Sequence, residues 1–287
     1  MRRKGPGPFR RFRLRLAATM PNPISRTAYY TLAVRAADAQ TAQPILGDTF
    51  AQRFMDDAAT AVWQEFKGFL PANASNAARH AIIDGHLATA LAQDPQATVV
   101  IVGAGFDTRA FRLHGGRWFE IDEPEILDYK ESRLPATDAP NPLRRLAVEF
   151  SRGQLADRLA TISAPSGVHI IVEGVLMYLT RDQRRALLQT VAARFPHHTL
   201  YCDLMRKNFF EKYSRDIHEK IVGMGTTFTD MEESPERLFT DNGYTTVAIE
   251  SVPIYAVERA DIGIPKFLIK YVLRTLRNGY VIAVFRR

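Results

Sequence analysis

The 287-residue sequence predicts an α/β fold: a doubly wound, seven-stranded, mostly parallel sheet with helices on both faces and a helical layer ahead of it. Three observations lead there. From residue 97 onward, short apolar runs rich in β-branched residues alternate with helical segments. The seventy or so residues before them carry helical periodicity with no strand pattern. A glycine loop, Gly103-Ala104-Gly105, closes the first apolar run. Strands that alternate with helices pair in parallel through crossover connections, and a strand buried on both faces reads as continuously apolar.

In chain order, Tyr29, Leu32, Ala33 and Ala36 recur at helix spacing. Asp48 reads as an N-cap, and Phe50, Phe54, Ala58, Val62 and Phe66 then follow at i+4 intervals as one helix. A third helix over 76–92 turns Ile82, Ile83, Leu87 and Leu91 inward. Strands are predicted at Ala97–Val102, Arg117–Ile121, Arg145–Phe150, Val168–Val175 and Thr199–Leu204. Helical or loop segments at Glu123–Arg133, Ser151–Ile162 and Arg181–Phe195 separate them, the last opened by the capping box of Thr180 and Gln183. Ser234-Pro235 starts a further helix and Asn242-Gly243 stops it. Thr245–Ser251 and Gly279–Arg286 close the sheet as a wide hairpin, with the last strand antiparallel to the rest. The expected organisation is a basic tail at 1–20, a helical cap at 21–95 and a core at 96–287, with a lid segment at 205–233 and an insertion at 255–278.

Composition narrows the function classes. At 46% hydrophobic and 24% charged residues, the chain reads as a globular protein. The single cysteine, Cys202, excludes an internal disulfide and a thiolate metal site, which suits a cytoplasmic setting. No apolar run reaches the roughly 18 residues that span a bilayer. The net charge of +7 is matched by seven bases within the first twenty residues, which hold no acid, so residues 21–287 are formally neutral. A basic face spread over the folded chain is the mark of a nucleic-acid binder, and nucleic acid is therefore not an expected partner. The tail itself reads as dispensable, with Met20 as an alternative start.

The glycine loop lies where open α/β sheets bind ligands, beyond the carboxyl end of the first strand. A dinucleotide fingerprint places a third small residue at the position of Thr108, and Asp107 would repel a pyrophosphate at the helix start. A cationic sulfonium with an ammonium group meets neither objection. Asp122, ending Phe119-Glu120-Ile121-Asp122, can accept both ribose hydroxyls of an adenosyl group, a device an NAD enzyme would share. Asp122 could instead cap the next helix; ribose binding is the preferred reading. Glu120 alternates with it and faces the other way or pairs locally. Glu173 ends an apolar strand, where an unpaired carboxylate is costly, so a cationic partner is expected. Arg109 and Arg112 face solvent or pair with acids, and Asp107 is left open.

Four motifs occur together: Ser25-Arg26-Thr27-Ala28, the Gly103–Arg109 loop, Phe119–Pro124, and Glu173-Gly-Val-Leu-Met-Tyr-Leu179. In that order and spacing they resemble the leucine carboxyl methyltransferase family, specifically its bacterial branch of S-adenosylmethionine-dependent O-methyltransferases associated with polyketide-type metabolism. The resemblance runs from about residue 25 to the C-terminus and implies the Rossmann-like methyltransferase fold. It implies S-adenosyl-L-methionine as cofactor, with Gly103 and Gly105 under its methionine portion and Asp122 on its ribose. Arg79, in Asn76-Ala-Ala-Arg79, would pair with the methionine carboxylate, and Glu173 would face the amino group with Tyr178 beside it. Glu149 stands where the family usually has an aspartate near the adenine, and the extra methylene leaves its role open.

The expected acceptor is a carboxylate or hydroxyl of a small molecule. A carboxylate needs no catalytic base, whereas an alcohol or phenol does. Tyr178, Asp203 and His218 are available, yet none sits in a recognisable base motif, and no catalytic residue is assigned. No carboxylate and histidine cluster shows metal spacing, so no metal is expected. Phe209, Phe210, Tyr213 and Ile217 form an aromatic face suited to a lid, or to ordinary core packing. After Pro265 a helix carries Lys266, Lys270, Arg274 and Arg277 on one side, with Leu268, Ile269, Val272, Leu273 and Leu276 elsewhere. Such a helix can lie on a membrane, but a packed helix with a solvated basic face is the expected case. The alternatives carried are methylation of a protein C-terminal carboxylate, an NAD oxidoreductase, and a cofactor-binding regulator without chemistry. The oligomeric state is not legible.

Overall fold

The structure, a computed structural model, describes residues 26–260 and 262–287. The basic tail and Ser25 lie outside the described residues. The helices are α1 (Arg26–Asp38), α2 (Asp57–Phe66), α3 (Leu70–Gln93), α4 (Arg109–Arg112), α5 (Pro124–Arg133), α6 (Leu155–Ala160), α7 (Arg181–Arg194), α8 (Lys207–Tyr213), α9 (Arg215–Gly223), α10 (Arg237–Thr240), α11 (Val252–Arg259) and α12 (Arg274–Gly279). The strands are β1 (Thr98–Val102), β2 (Arg117–Asp122), β3 (Leu143–Ala147), β4 (Val168–Val172), β5 (Thr199–Met205), β6 (Thr245–Ser251) and β7 (Tyr280–Arg286).

The strands form one sheet in the order β3-β2-β1-β4-β5-β7-β6. Pairing is parallel from β3 to β5, and β7 runs antiparallel between β5 and β6. Every residue of β1 is buried because both sheet faces are covered. Val99 and Ile101 pack with the N-terminal helices and α11, while Val100 and Val102 pack with Leu187, Leu188 and Val191 of α7. The helical layer therefore shares one core with the sheet. Connections leave β1 toward β2 on one side while β4 lies on the other, and this reversal opens a crevice at the strands' carboxyl ends.

Several boundaries differ from the sequence expectation. Residues 49–66 are not one helix. Asp48 caps a 3₁₀ turn, Thr49–Phe54, accepting from Ala51 N at 3.3 Å. Asp56, in extended backbone, then caps α2 by accepting from Ala59 N at 2.8 Å. A side chain that bonds the N–H three residues on starts a new helix, and the restart buries Ala59 in place of Ala58. Helix α3 begins at Leu70, six residues earlier than expected, with Pro71 in its first turn, where the missing N–H costs nothing. Strand β3 ends at Ala147, which pairs with Asp122, so Glu149 and Phe150 lie beyond the sheet. The helix after Pro235 is a single turn. The insertion holds α11, a π-helical turn at Leu268–Val272, and α12. The reciprocal capping box of Thr180 and Gln183 is present. No helix among the described residues is long and apolar enough to cross a membrane.

Candidate functional site

The crevice holds a cavity of about 1080 Å³. Its floor is the glycine loop. Gly103 has φ +73° and Gly105 φ +46°, both in the left-handed region that favours glycine. A Cβ on Gly103 would also come within 2.5 Å of Val175 Cγ2, so nothing larger fits between the loop and the turn after β4. Asp122 locks the loop: its Oδ2 accepts from Gly105 N at 2.6 Å and its Oδ1 from Glu123 N at 2.7 Å. One acceptor site remains on each oxygen. Burial raises the Asp122 carboxyl above its usual value, against the pull of those two N–H groups.

Behind the loop stands a buried charge network centred on Arg109, which has no solvent exposure. Its Nε donates to Asp84 Oδ1 at 2.6 Å and its Nη2 to Glu173 Oε2 at 2.7 Å, while Nη1 bonds Asp107. The backbone N–H of Arg109 also donates to Asp107 Oδ1 at 2.7 Å. Arg79 Nε donates to Glu173 Oε1 at 3.0 Å, and Nη1 reaches Asp203 Oδ2 at 3.3 Å and the Tyr280 hydroxyl at 3.1 Å. Arg112 bridges Asp84 and Asp48, and Arg35 meets Asp48 at 2.7 Å. Four arginines thus face five acid side chains: Asp48, Asp84, Asp107, Glu173 and Asp203. Burial pushes the Glu173 carboxyl up, but His80, Arg109 and Arg79 together hold it well below its ordinary value. The same contest, won by Arg109 and His80, lowers Asp107.

His80, Asp107 and Glu173 bring a nitrogen and two carboxylate oxygens within 4.8 Å of one another, a cation-accepting trio that sequence spacing did not announce. The Arg109 guanidinium bonds two of the three, Asp107 and Glu173. His80 Nδ1 lies 3.1 Å from Glu173 Oε1, and its Nε2 is buried without a hydrogen-bond partner, 3.9 Å from Asp107 Oδ2. Burial, reinforced by Arg109, lowers the His80 pKa and keeps the ring neutral at pH 7.

Of the residues singled out in the sequence for cofactor contact, Arg79, Gly103, Gly105, Asp122, Glu173 and Tyr178 all line the cavity. Glu149 does not. It pairs with Arg152 at 2.7 Å on the surface, while the next residues, Phe150 and Ser151, form the wall. Glu120 points away from the site and is buried against Lys130 at 2.9 Å and Arg145 at 3.0 Å. Tyr178 is half-buried, and desolvation pushes its hydroxyl up to about 12. Of the expected lid, Phe209, Tyr213 and Ile217 reach the wall, and Phe210 instead packs on His218 and Phe228. His218 is outside the wall and accepts from Phe228 N at 3.2 Å. Sequence reading did not identify His80 or Tyr280. Adjacency to Arg79 was the available signal for His80. Tyr280 had none, since only the pairing of β7 with β5, which sets Tyr280 opposite Met205, brings it to Arg79.

The cavity has two ends of different chemistry. The loop end carries the acids and arginines. The far end is apolar, walled by Ile221, Phe228, Ile262, Ile264 and Leu276. Single small-molecule pockets run to about 300–1000 Å³, so the volume admits two ligands side by side.

The profile of the leucine carboxyl methyltransferase family matches residues 28–192, more than half of the chain. Relatives provisionally named S-adenosyl-L-methionine-dependent methyltransferases include one from Mycobacteroides abscessus, 28% identical over 193 residues, covering 58% of this chain and 60% of that protein. Another, from Parafrankia sp., is 31% identical over 182 residues, covering 58% of each. A third, from Mycobacterium tuberculosis, is 30% identical over 190 residues, covering 59% of this chain and 62% of its own. The matched region thus spans about 60% of the length of these curated relatives. Among solved structures, a provisionally named methyltransferase from Thermobifida fusca superposes with TM-score 0.60 at 13% identity over 92% of this chain and 95% of its own. A DUF574 family protein from Streptomyces avermitilis gives 0.59 at 11% over 92% and 98%. At such identity these two structures establish the shared fold.

Proposed function

The chain belongs to the leucine carboxyl methyltransferase family, and on that premise we propose that it is an S-adenosylmethionine-dependent O-methyltransferase acting on the carboxylate of a largely apolar small molecule. One observation carries the reading. A single cavity joins a glycine floor and an acid-rich wall to an apolar end, and the one unpartnered basic nitrogen among the wall residues described above, His80 Nε2, lies beside Asp107 in the charge network.

When bound, S-adenosylmethionine supplies an electrophilic methyl group, and its transfer to oxygen is an in-line displacement. The residues present fit that cofactor. Asp122 keeps an acceptor site on each oxygen for the two ribose hydroxyls. His80 Nε2, lacking a partner, and the Asp107 carboxylate are acceptors for the cofactor's ammonium. The excess of acid over arginine around the loop favours a cationic ligand. Arg79 Nη2, the nitrogen left outside the network, lies beside Gly174 and suits the methionine carboxylate. Gly103 and Gly105 allow the ligand to rest on the main chain.

The acceptor follows from the state of Tyr178, on the wall, and of Asp203, which lies behind the wall residue Arg79. Tyr178 holds its proton far above neutral pH. Asp203 is committed to Arg79, Tyr280 and Gly174 N, the last at 2.8 Å. A carboxylate is already ionised and needs only alignment and exclusion of water, which positioning supplies. The Phe209 and Tyr213 side of the wall provides the apolar surface that excludes it.

Calorimetric titration with S-adenosylmethionine tests the cofactor. Micromolar binding is expected; binding of NAD in its place refutes the assignment. Asp122→Ala removes charge-assisted hydrogen bonds worth about 1.5–3 kcal/mol, so affinity should fall roughly ten- to hundredfold with the circular dichroism spectrum unchanged. For the acceptor, labelled methyl should pass to apolar carboxylic acids with a rate flat between pH 6 and 8. Transfer to phenols alone, with a rate rising through the pKa of a base, sinks the carboxylate reading.

A further inference from the structure

The segment after Pro265 is expected from its sequence to be one packed helix with a basic face, and the structure builds it differently. Leu268–Val272 is a π-helical turn, and α12 begins afresh at Arg274. The wider turn keeps Ile269 buried but rotates the next apolar residues outward. Phe267, Tyr271 and Val272 are 60, 78 and 60% exposed. π-turns carry a cost and concentrate at functional positions, and three large apolar side chains in six residues are an unusual surface to leave in water.

Their placement is not random. Among the described residues the exposed large hydrophobics are Leu70, Tyr213, Val222, Val247, Ile249, Phe267, Tyr271 and Val272. Val247 and Ile249 lie on the edge strand β6. Of the other six, Tyr213 lines the cavity and the remaining five lie in segments that also contribute wall residues. Tyr213 is a wall residue, Leu70 precedes wall residue Pro71, and Val222 follows wall residue Ile221. Phe267, Tyr271 and Val272 lie between wall residues Ile264 and Leu276.

Charge completes the pattern. Lys266, Lys270, Arg274 and Arg277 punctuate the same stretch, and no acid occurs from Ile262 to Arg287. Asp261 immediately precedes this stretch, and among the described residues Glu258 on α11 takes Lys270 Nζ at 2.6 Å. Lys266 and Arg274 remain exposed beside the aromatic residues. Aromatic and aliphatic side chains interleaved with bases match a headgroup region that is anionic outside and apolar beneath.

We propose that residues 266–274 dock this protein on an anionic phospholipid bilayer, setting the apolar end of the cavity against the lipid. The inference stands on exposure, placement and charge, and is independent of the methyl-transfer reading. If that reading also holds, the acceptor is an amphiphilic carboxylic acid loaded from the bilayer.

The test is co-sedimentation of the full chain with phosphatidylserine-containing vesicles and with phosphatidylcholine vesicles at low salt. The full chain should pellet with the first and stay largely in solution with the second. Each base near an anionic surface contributes about 1 kcal/mol, or about fivefold, so Lys266→Gln with Arg274→Gln should weaken partitioning by roughly 25-fold. Phe267→Ser with Tyr271→Ser should cost about tenfold or more, with an unchanged melting temperature because both positions are exposed. Should a variant fail to fold, Tyr271→Cys carrying an environment-sensitive dye gives a second readout, since Cys202 is buried. A blue shift on phosphatidylserine vesicles is expected, and no shift overturns the proposal. Three other results overturn it as well: no sedimentation at low salt, binding untouched by both double variants but lost on deleting residues 1–19, and a wild-type dimer that Phe267→Ser with Tyr271→Ser turns into monomer.

Discussion

Arg109 shows how one side chain organises the site. It ties α3 through Asp84, the loop through Asp107 and the end of β4 through Glu173, all away from water. Removing one partner from a buried ionic cluster leaves charges unpaired and typically costs about 3–5 kcal/mol. Arg109→Met should therefore lower the urea midpoint by a corresponding amount. Arg152→Ala, which breaks the surface pair with Glu149, should shift it by less than about 1 kcal/mol. Equal effects from the two would mean that the network contributes nothing to the fold. Sequence spacing allowed Arg109 to pair with acids without naming them, because Asp84 and Glu173 are distant in the chain.

At the level of elements, local signals held where a single segment decides and failed where two compete. The capping box of α7 is complete within four residues, and its reciprocal bonds are present. The i+4 rows from Phe50 to Phe66 were equally regular, yet Asp56 restarts the helix at the midpoint. A more consequential contact is Gly279, at the end of α12. A Cβ there would overlap Phe209 Cβ, so glycine is what lets α8 seat against α12. Gly279→Ala must displace α8 and the wall residues Phe209 and Tyr213, at about 1–3 kcal/mol of overpacking. Acceptor KM should rise severalfold while affinity for S-adenosylmethionine, proposed to rest on the glycine loop, stays within twofold. A parallel loss of both would show that the two ends of the cavity are not separable.

For the whole molecule, the buried acids set a pH dependence. Asp84, Asp107 and Glu173 sit below their ordinary carboxyl values: burial raises each, and arginines, with His80, outweigh it. Their stabilisation is present above the unfolded values near 4 and is lost as pH falls through them. His80 acts earlier with the same sign. Burial lowers its pKa from 6.5, so below that pH the unfolded chain takes a proton that the folded chain refuses. Asp122 and Glu123, both raised by burial, oppose them. The melting temperature should accordingly decline from about pH 6.5 downward, first shallowly and then steeply below about pH 4.5. A maximum near pH 4 in a thermal scan contradicts the network as drawn.

Alternation of β-branched runs with helices carried the doubly wound architecture, and the glycine loop located the ligand crevice, because both are written in contiguous residues. Asp122 and Glu173 were legible for the same reason, each closing a strand of clear apolar pattern. Tertiary structure decided the rest. It placed Glu149 on the surface, since register with β2 ends β3 at Ala147. It drew His80, Asp84, Asp107, Arg109 and Tyr280 into one buried cluster from helix, loop and final strand, a convergence that no spacing along the chain encodes. It also turned Phe267, Tyr271 and Val272 outward through a π-turn, where helical periodicity had assigned Val272 a place off the basic side. A local pattern is sufficient when a group's partners are its chain neighbours. Where desolvation must be matched by charges from distant segments, only the packed fold decides which partners arrive.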